Sequence, residues 1–194
     1  IYRAITLCMI EMEQNMDDIN LEFAIALTQK LSDTHKILEY AKNPKIRSQL
    51  TNKYVASVAK IPEIRTIMRK YQIDFGTNPP DLPDGRKAKG AVIEGRDIGT
   101  VICPNAPVKF FITASPETRA SRRLKEYLDQ GESASYQEVL ASIIARDEAD
   151  RTRATSPMKQ ADDAIVINTS ENNKEQTFEV AKKIIDERLH ITFD

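Results

Sequence analysis

The chain has no tryptophan, only two cysteines and two histidines, and six glycines in 194 residues. Cys8 and Cys103 lie far apart and share no metal-ligand spacing with His35 or His190, which argues against a structural zinc site and against a disulfide scaffold. No apolar run approaches membrane-spanning length and no signal-peptide pattern opens the chain, so the expected setting is cytoplasmic, with no membrane partner. An excess of charge of either sign is missing too. A formal net charge of -1 argues against bulk binding to a nucleic-acid polymer. Internal repeats and low-complexity tracts are also lacking, and the length suits one domain with inserted lobes.

What is present is charge unevenly placed. Arg119, Arg122, Arg123 and Lys125 cluster, and Arg146, Arg151 and Arg153 follow. Local basic clusters in a near-neutral protein suit a small anion such as a nucleotide, with solvated helix faces as the alternative for part of them.

Apolar periodicity predicts a helix over Ile5–Met12, broken around Asn15–Asp18, and a second over Asn20–Leu31. Around Ile37–Leu38 we expect a strand or turn. Asn43 as N-cap with Pro44 at the first helical position starts a helix to Lys60, and Ile61–Pro62 starts another over Glu63–Phe75. Residues 76–89 are a loop by composition. Strands are expected at Ala91–Ile93, Val108–Thr113 and Ala164–Ile167. Between the last two, Ser115–Pro116 begins a helix that stops at Gly131, and Ser135 with Glu138 forms a capping box for a helix over Tyr136–Asp150. Asn172 with Glu175 caps the final helix, which ends near Leu189. Strands alternating with helices predict an α/β fold, a parallel sheet with helices on both faces.

Two stretches carry candidate chemistry. Residues 95–100, Gly-Arg-Asp-Ile-Gly-Thr, follow an expected strand, where open α/β sheets bind ligands. There Arg96 and Asp97 place a donor fork beside an acceptor, either as a ligand site or as a surface ion pair on a turn. Gly95 and Gly99 offer positive φ or a close approach. The second stretch is 146–153, Arg-Asp-Glu-Ala-Asp-Arg-Thr-Arg. On a helix Arg146 faces Asp150, and Asp147 faces Arg151, the latter read as a solvated ion pair. Arg153 follows the helix end and suits a lid closing on phosphate, which guanidinium grips bidentately.

These segments, together with Tyr2-Arg3-Ala4, Ile46-Arg47, Ile61-Pro62-Glu63-Ile64-Arg65 and Ala161-Asp162, resemble the bacterial cytidylate kinases in order along nearly the whole chain. The resemblance implies a P-loop NTPase-type core, with residues 1–31, 88–118 and 160–194 in the core, 32–87 in a monophosphate-binding insert and 119–159 in a helical lid. It implies transfer of phosphate from ATP, with Mg²⁺, to CMP or dCMP; a monomer is expected. By position, Arg3, Arg96 and Arg153 hold the CMP phosphate, Arg146 and Asp150 the sugar, and Arg65 and Asp97 the cytosine. The lid arginines Arg151 and Arg153, with Arg96, supply charge to the transferring group. Where the family has a base-contacting serine this chain has Ala56; either Ser57 takes the role or the contact is lost. Ala149 stands where a further lid arginine is usual. No G-x-x-x-x-G-K-[ST] occurs in the sequence. In the family that loop lies upstream of Tyr2, and the chain opens without Met in helical periodicity, so we expect its beginning to be missing. The alternatives are a kinase for UMP or a purine monophosphate, and a non-catalytic nucleotide-binding or assembly module.

Overall fold

The computed structural model describes residues 1–82, 84–152 and 157–190. The chain divides into two compact units, Ile1–Val92 and Ile93–Asp194.

The first unit is helical. Helix α1, Tyr2–Glu11, is apolar nearly all round, and Ala4, Ile5, Leu7, Cys8 and Met9 are buried, as expected for a helix enclosed by others. Its one buried hydroxyl, on Thr6, donates to the Tyr2 carbonyl at 2.8 Å. The chain leaves α1 through Glu13 at φ 55°. Helix α2, Leu21–Asp33, starts where the Asn20 side chain accepts from the Phe23 N–H. A short helix α3, Ile37–Ala41, replaces the expected strand or turn. Two apolar residues cannot form a ladder without a partner, and a helical turn packed on α1 buries Ile37 completely.

The helix expected from Asn43 to Lys60 is two elements. Asn43 caps a 3₁₀ turn, Pro44–Arg47, and then Ser48, at ψ 157°, opens α4, Gln49–Lys60, its hydroxyl accepting from the Thr51 N–H. Helix α5, Pro62–Thr77, follows directly. Ile61 is held extended at ψ 116° because the proline after it disfavours helical geometry. The core lies among α1, α2, α4 and α5, where Ile5, Met9, Val58, Ile64 and Met68 are fully buried.

The strand expected at Ala91–Ile93 does not form. Val92 is 96 % exposed and the run has no ladder partner among the described residues. Three apolar residues with no ladder partner among the described residues remain coil.

The second unit begins with a π-helical turn, Ile98–Ile102. Strand β1, Phe110–Thr113, leads into α6, Pro116–Asp129, and α7, Tyr136–Thr152; β2, Ile165–Asn168, leads into α8, Lys174–Leu189. β1 and β2 pair in parallel, Phe110 opposite Ile165 and Thr113 opposite Asn168. Ser115 and the Ser135–Glu138 capping box start α6 and α7 as the sequence requires. Gly131, at φ 75°, turns the chain between them, a conformation that favours glycine. The cap of α8 falls one residue later than expected: Asn173 pairs reciprocally with Gln176, not Asn172 with Glu175.

The expected cover on both faces of the sheet is incomplete. Ile112 and Val166 are 54 % and 50 % exposed. They sit on opposite faces, because paired residues of a parallel ladder share a face and neighbours alternate. The small apolar core of this unit lies between α6 and α7, around Ala120, Tyr127 and Val139.

Candidate functional site

In the second unit the Gly-Arg-Asp stretch and the end of α7 meet. Asp97 heads the π-helical turn, its carbonyl accepting from the N–H groups of Val101 at 2.9 Å and Ile102 at 3.2 Å. Wide turns of this kind are frequent at functional sites. Of the two roles open to the glycines, close approach is the one used at Gly95. Its φ is not positive, and a Cβ there would meet the Ile98 side chain at 2.9 Å.

The turn presents Arg96 to α7. Its Nε donates to Asp150 Oδ2 at 2.7 Å, and Arg146 Nε approaches the same oxygen at 3.9 Å from one turn back along α7. The expected Arg146–Asp150 face is thus present, with Arg96 added to it from 54 residues away. One carboxylate therefore stands between two guanidinium groups. Burial, and then the Arg96 cation, hold the Arg146 guanidinium below its ordinary pKa, with Asp150 opposing. Arginine stays charged regardless, so this corner carries a local excess of positive charge suited to an anion.

The pairing expected between Asp147 and Arg151 is not made. Asp147 accepts both Nη groups of Arg119, at 2.9 and 2.5 Å, while Arg151 reaches Glu148 at 3.3 Å. Helix packing decides this, since α6 lies against α7 and offers a planar fork to a half-buried carboxylate. The remaining basic residues of α6 are largely committed as well. Arg122 donates to Thr169 and to the Asn172 carbonyl beyond β2, and Arg123 pairs with Glu126 at 2.8 Å. Much of the basic cluster read from the sequence is therefore internal fastening, while Arg96 and Arg146 are the guanidinium groups that meet at Asp150. The Arg119–Asp147 tie was missed; two arginine-rich helices in succession were its only sequence signal.

Asp150 has a second function. Its carbonyl accepts the Met158 N–H at 2.7 Å, tying the returning chain to the end of α7. Beyond Met158, Lys109 Nζ donates to both oxygens of Asp163, at 2.8 and 2.7 Å, and to the Pro104 carbonyl. That bond holds the Asp163 carboxyl below the usual carboxylate range. Arg153 lies outside the described residues.

The other expected site residues belong to the first unit. Arg3 lies half-buried in the first turn of α1. Ser57 and Ala56 are both exposed on α4. Arg65, on α5, directs Nη1 to the Ala59 carbonyl at 3.4 Å, which brings its guanidinium to the end of α4 that carries Ser57. Among the described residues no group of three or more His, Cys, Asp or Glu side chains could hold a metal ion. Nor is any helix among them long and apolar enough to cross a membrane.

A small parallel sheet with its helices, and an arginine corner facing a single carboxylate, define a helix-rich α/β protein equipped for anionic ligands. Comparison with known proteins is more specific. The cytidylate kinase family model matches residues 1–187. The chain is 38 % identical over 186 residues to a cytidylate kinase of Caulobacter sp. (strain K31), covering 96 % of this chain and 79 % of that protein. It is 36 % identical over 188 residues to one of Brucella suis biovar 1, covering 97 % and 78 %. To the cytidylate kinase of Caulobacter vibrioides (strain NA1000 / CB15N) it is 34 % identical over 187 residues, covering 96 % and 80 %. The chain belongs to the cytidylate kinase family.

Proposed function

We propose that this protein phosphorylates CMP or dCMP at the expense of ATP, giving CDP or dCDP. The observation that carries the reading is the Arg96–Asp150–Arg146 corner, which lies within the residues 1–187 that the cytidylate kinase family model matches. A guanidinium pair around a carboxylate can take a phosphate and a sugar hydroxyl together: the arginines donate to phosphate oxygen and Asp150 accepts from hydroxyl. In this reading Arg3, Arg96 and Arg153 hold the acceptor phosphate, and Arg146 and Asp150 the sugar. Arg65 and Asp97 complement the cytosine edge, an amino donor beside acceptors. Ser57, exposed on the end of α4 that Arg65 reaches, would supply the base contact that Ala56 cannot make.

Phosphoryl transfer passes through a loose transition state, so catalysis is positioning and charge stabilisation, here by Arg96, Arg151 and Arg153. Mg²⁺ would accompany ATP and neutralise its phosphates. No described cluster fits a resident metal, and we assign none of these residues to it. The wider architecture follows the same reading: a P-loop NTPase-type core of residues 1–31, 88–118 and 160–194, an acceptor-binding insert of 32–87 and a lid of 119–159. The same reading expects the protein in the cytoplasm, as a monomer without polymer or membrane partners.

The sequence contains no G-x-x-x-x-G-K-[ST] loop to cradle the β- and γ-phosphates of ATP. That favours one second reading, a CMP-binding module without transferase activity in these 194 residues. Incubating the protein from its natural gene with Mg-ATP and CMP, dCMP, UMP or AMP tests both. CDP and dCDP formed well ahead of UDP, and well ahead of label appearing in ADP from labelled AMP, support the kinase. CMP binding with no product supports the module, and preference for UMP or AMP defeats the cytosine assignment.

A further inference from the structure

Lysine is rarely buried unless paired. Lys109, just before β1, is 8 % exposed, yet the carboxylate it holds, Asp163, is 65 % exposed. A lysine buried to meet a surface carboxylate adds little to a core. Its stem, however, lies against the site's own turn: a Cβ on Gly99 would sit 3.4 Å from Lys109 Cδ and 3.6 Å from the Ala161 methyl. The ammonium is also tied to the Pro104 carbonyl, where the turn ends.

These contacts close a ring. From Lys109 it passes through packing to Gly99, along three residues to Arg96, across the 2.7 Å ion pair to Asp150, and by the 2.7 Å hydrogen bond to Met158. The chain then runs to Asp163 and returns to Lys109 at 2.7 Å. We propose that the Lys109–Asp163 pair is a positioning device: it fastens residues 158–163 to the 95–103 turn and so sets how Arg96 and Asp150 meet. It touches no reacting atom. Resting on the cytidylate kinase reading, it predicts that acceptor affinity depends on a pair outside the acceptor corner. An apolar side chain at 109 could fill the same space, but only a charged tip bonded at two points fixes the register between the turn and the returning segment.

The test uses the natural protein, with Asp163→Asn as the primary variant, because Asp163 is the exposed partner and its change leaves the buried lysine bonded to Pro104. Lys109→Met and Asp163→Glu accompany it. CMP affinity is measured by calorimetry and amide hydrogen exchange by mass spectrometry. Expected are a loss of CMP affinity of about fivefold or more in Asp163→Asn and partial recovery in Asp163→Glu. Faster exchange should be confined to residues 98–102 and 158. Affinity within about twofold of wild type overturns the proposal, and so does exchange that rises evenly through the molecule. Should Lys109→Met fail to fold, Asp163→Asn alone decides. A wild-type protein that binds no CMP defeats the kinase reading, and the exchange pattern then decides the fastening by itself.

Discussion

On the proposed assignment Asp97 and Arg153 would make separate demands on the acceptor. A carboxylate accepting from the cytosine amino group meets a carbonyl oxygen when uracil takes its place, so such a site would penalise UMP as well as reward CMP. Asp97→Asn keeps the shape and can donate to that carbonyl. It should lower kcat/KM for CMP and narrow the CMP-to-UMP ratio by roughly tenfold, about 1.4 kcal/mol. An unchanged ratio with both substrates weakened equally would make Asp97 a holder of the turn rather than a reader of the base. Arg153→Ala should lower kcat by about a hundredfold in steady-state assays, as removal of a group stabilising transferring phosphate does. Asp147→Asn leaves a half-buried Arg119 without its carboxylate and should cost about 1–3 kcal/mol in urea unfolding. Residue-scale reading of the sequence succeeded where partners are near along the chain, as for Arg146 and Asp150. It failed for Asp147, whose partner lies 28 residues back and is chosen by how two helices pack.

At the scale of elements, caps were legible because their chemistry is local. Asn20, Ser115 and Ser135 all start helices where expected. The slip at α8 has a simple origin. Asn172 and Asn173 are adjacent, and Glu175 and Gln176 are adjacent three residues on, so two registers of the same motif compete. The structure predicts which loses: Asn173→Ala should destabilise by about 1 kcal/mol and Asn172→Ala by much less, since Asn172 contributes its carbonyl to Arg122, which alanine retains. Paired thermal melts check this. The strand expected at Ala91–Ile93 was not legible for the opposite reason. An apolar triplet describes what a strand is made of, but pairing requires a neighbour that sequence periodicity does not supply.

Across the whole molecule the two units hold unequal cores. The first encloses α1 among other helices, with Ile5, Met9, Ile64 and Met68 shut off from water. The second relies on the small group between α6 and α7. Hydrogen exchange should therefore show α6 and α7 opening before α1 and α5, and calorimetric unfolding should depart from a single transition. Alkaline stability has a separate cause. The Tyr40 phenol is pushed up to about 12, first by its hydrogen bond with Cys8 and then by burial, with Cys8, Glu11 and Glu39 adding. It stays neutral in the folded protein while the unfolded chain gives up that proton near 10, so stability falls as pH rises from about 10 and levels beyond about 12. Burial also raises the Cys8 thiol above its ordinary 9.0, which extends the loss to lower pH. Tyr40→Phe should flatten this limb in pH-dependent melts.

The ion pair between Arg96 and Asp150 presets an orientation. It uses Nε of Arg96, and a guanidinium carries four further N–H donors on its two Nη groups. On the proposed assignment a phosphate is therefore gripped without the carboxylate letting go, and Asp150 offsets part of the positive charge the phosphate meets. Titrations at rising ionic strength should then show CMP affinity falling less steeply than the number of arginines around the phosphate suggests.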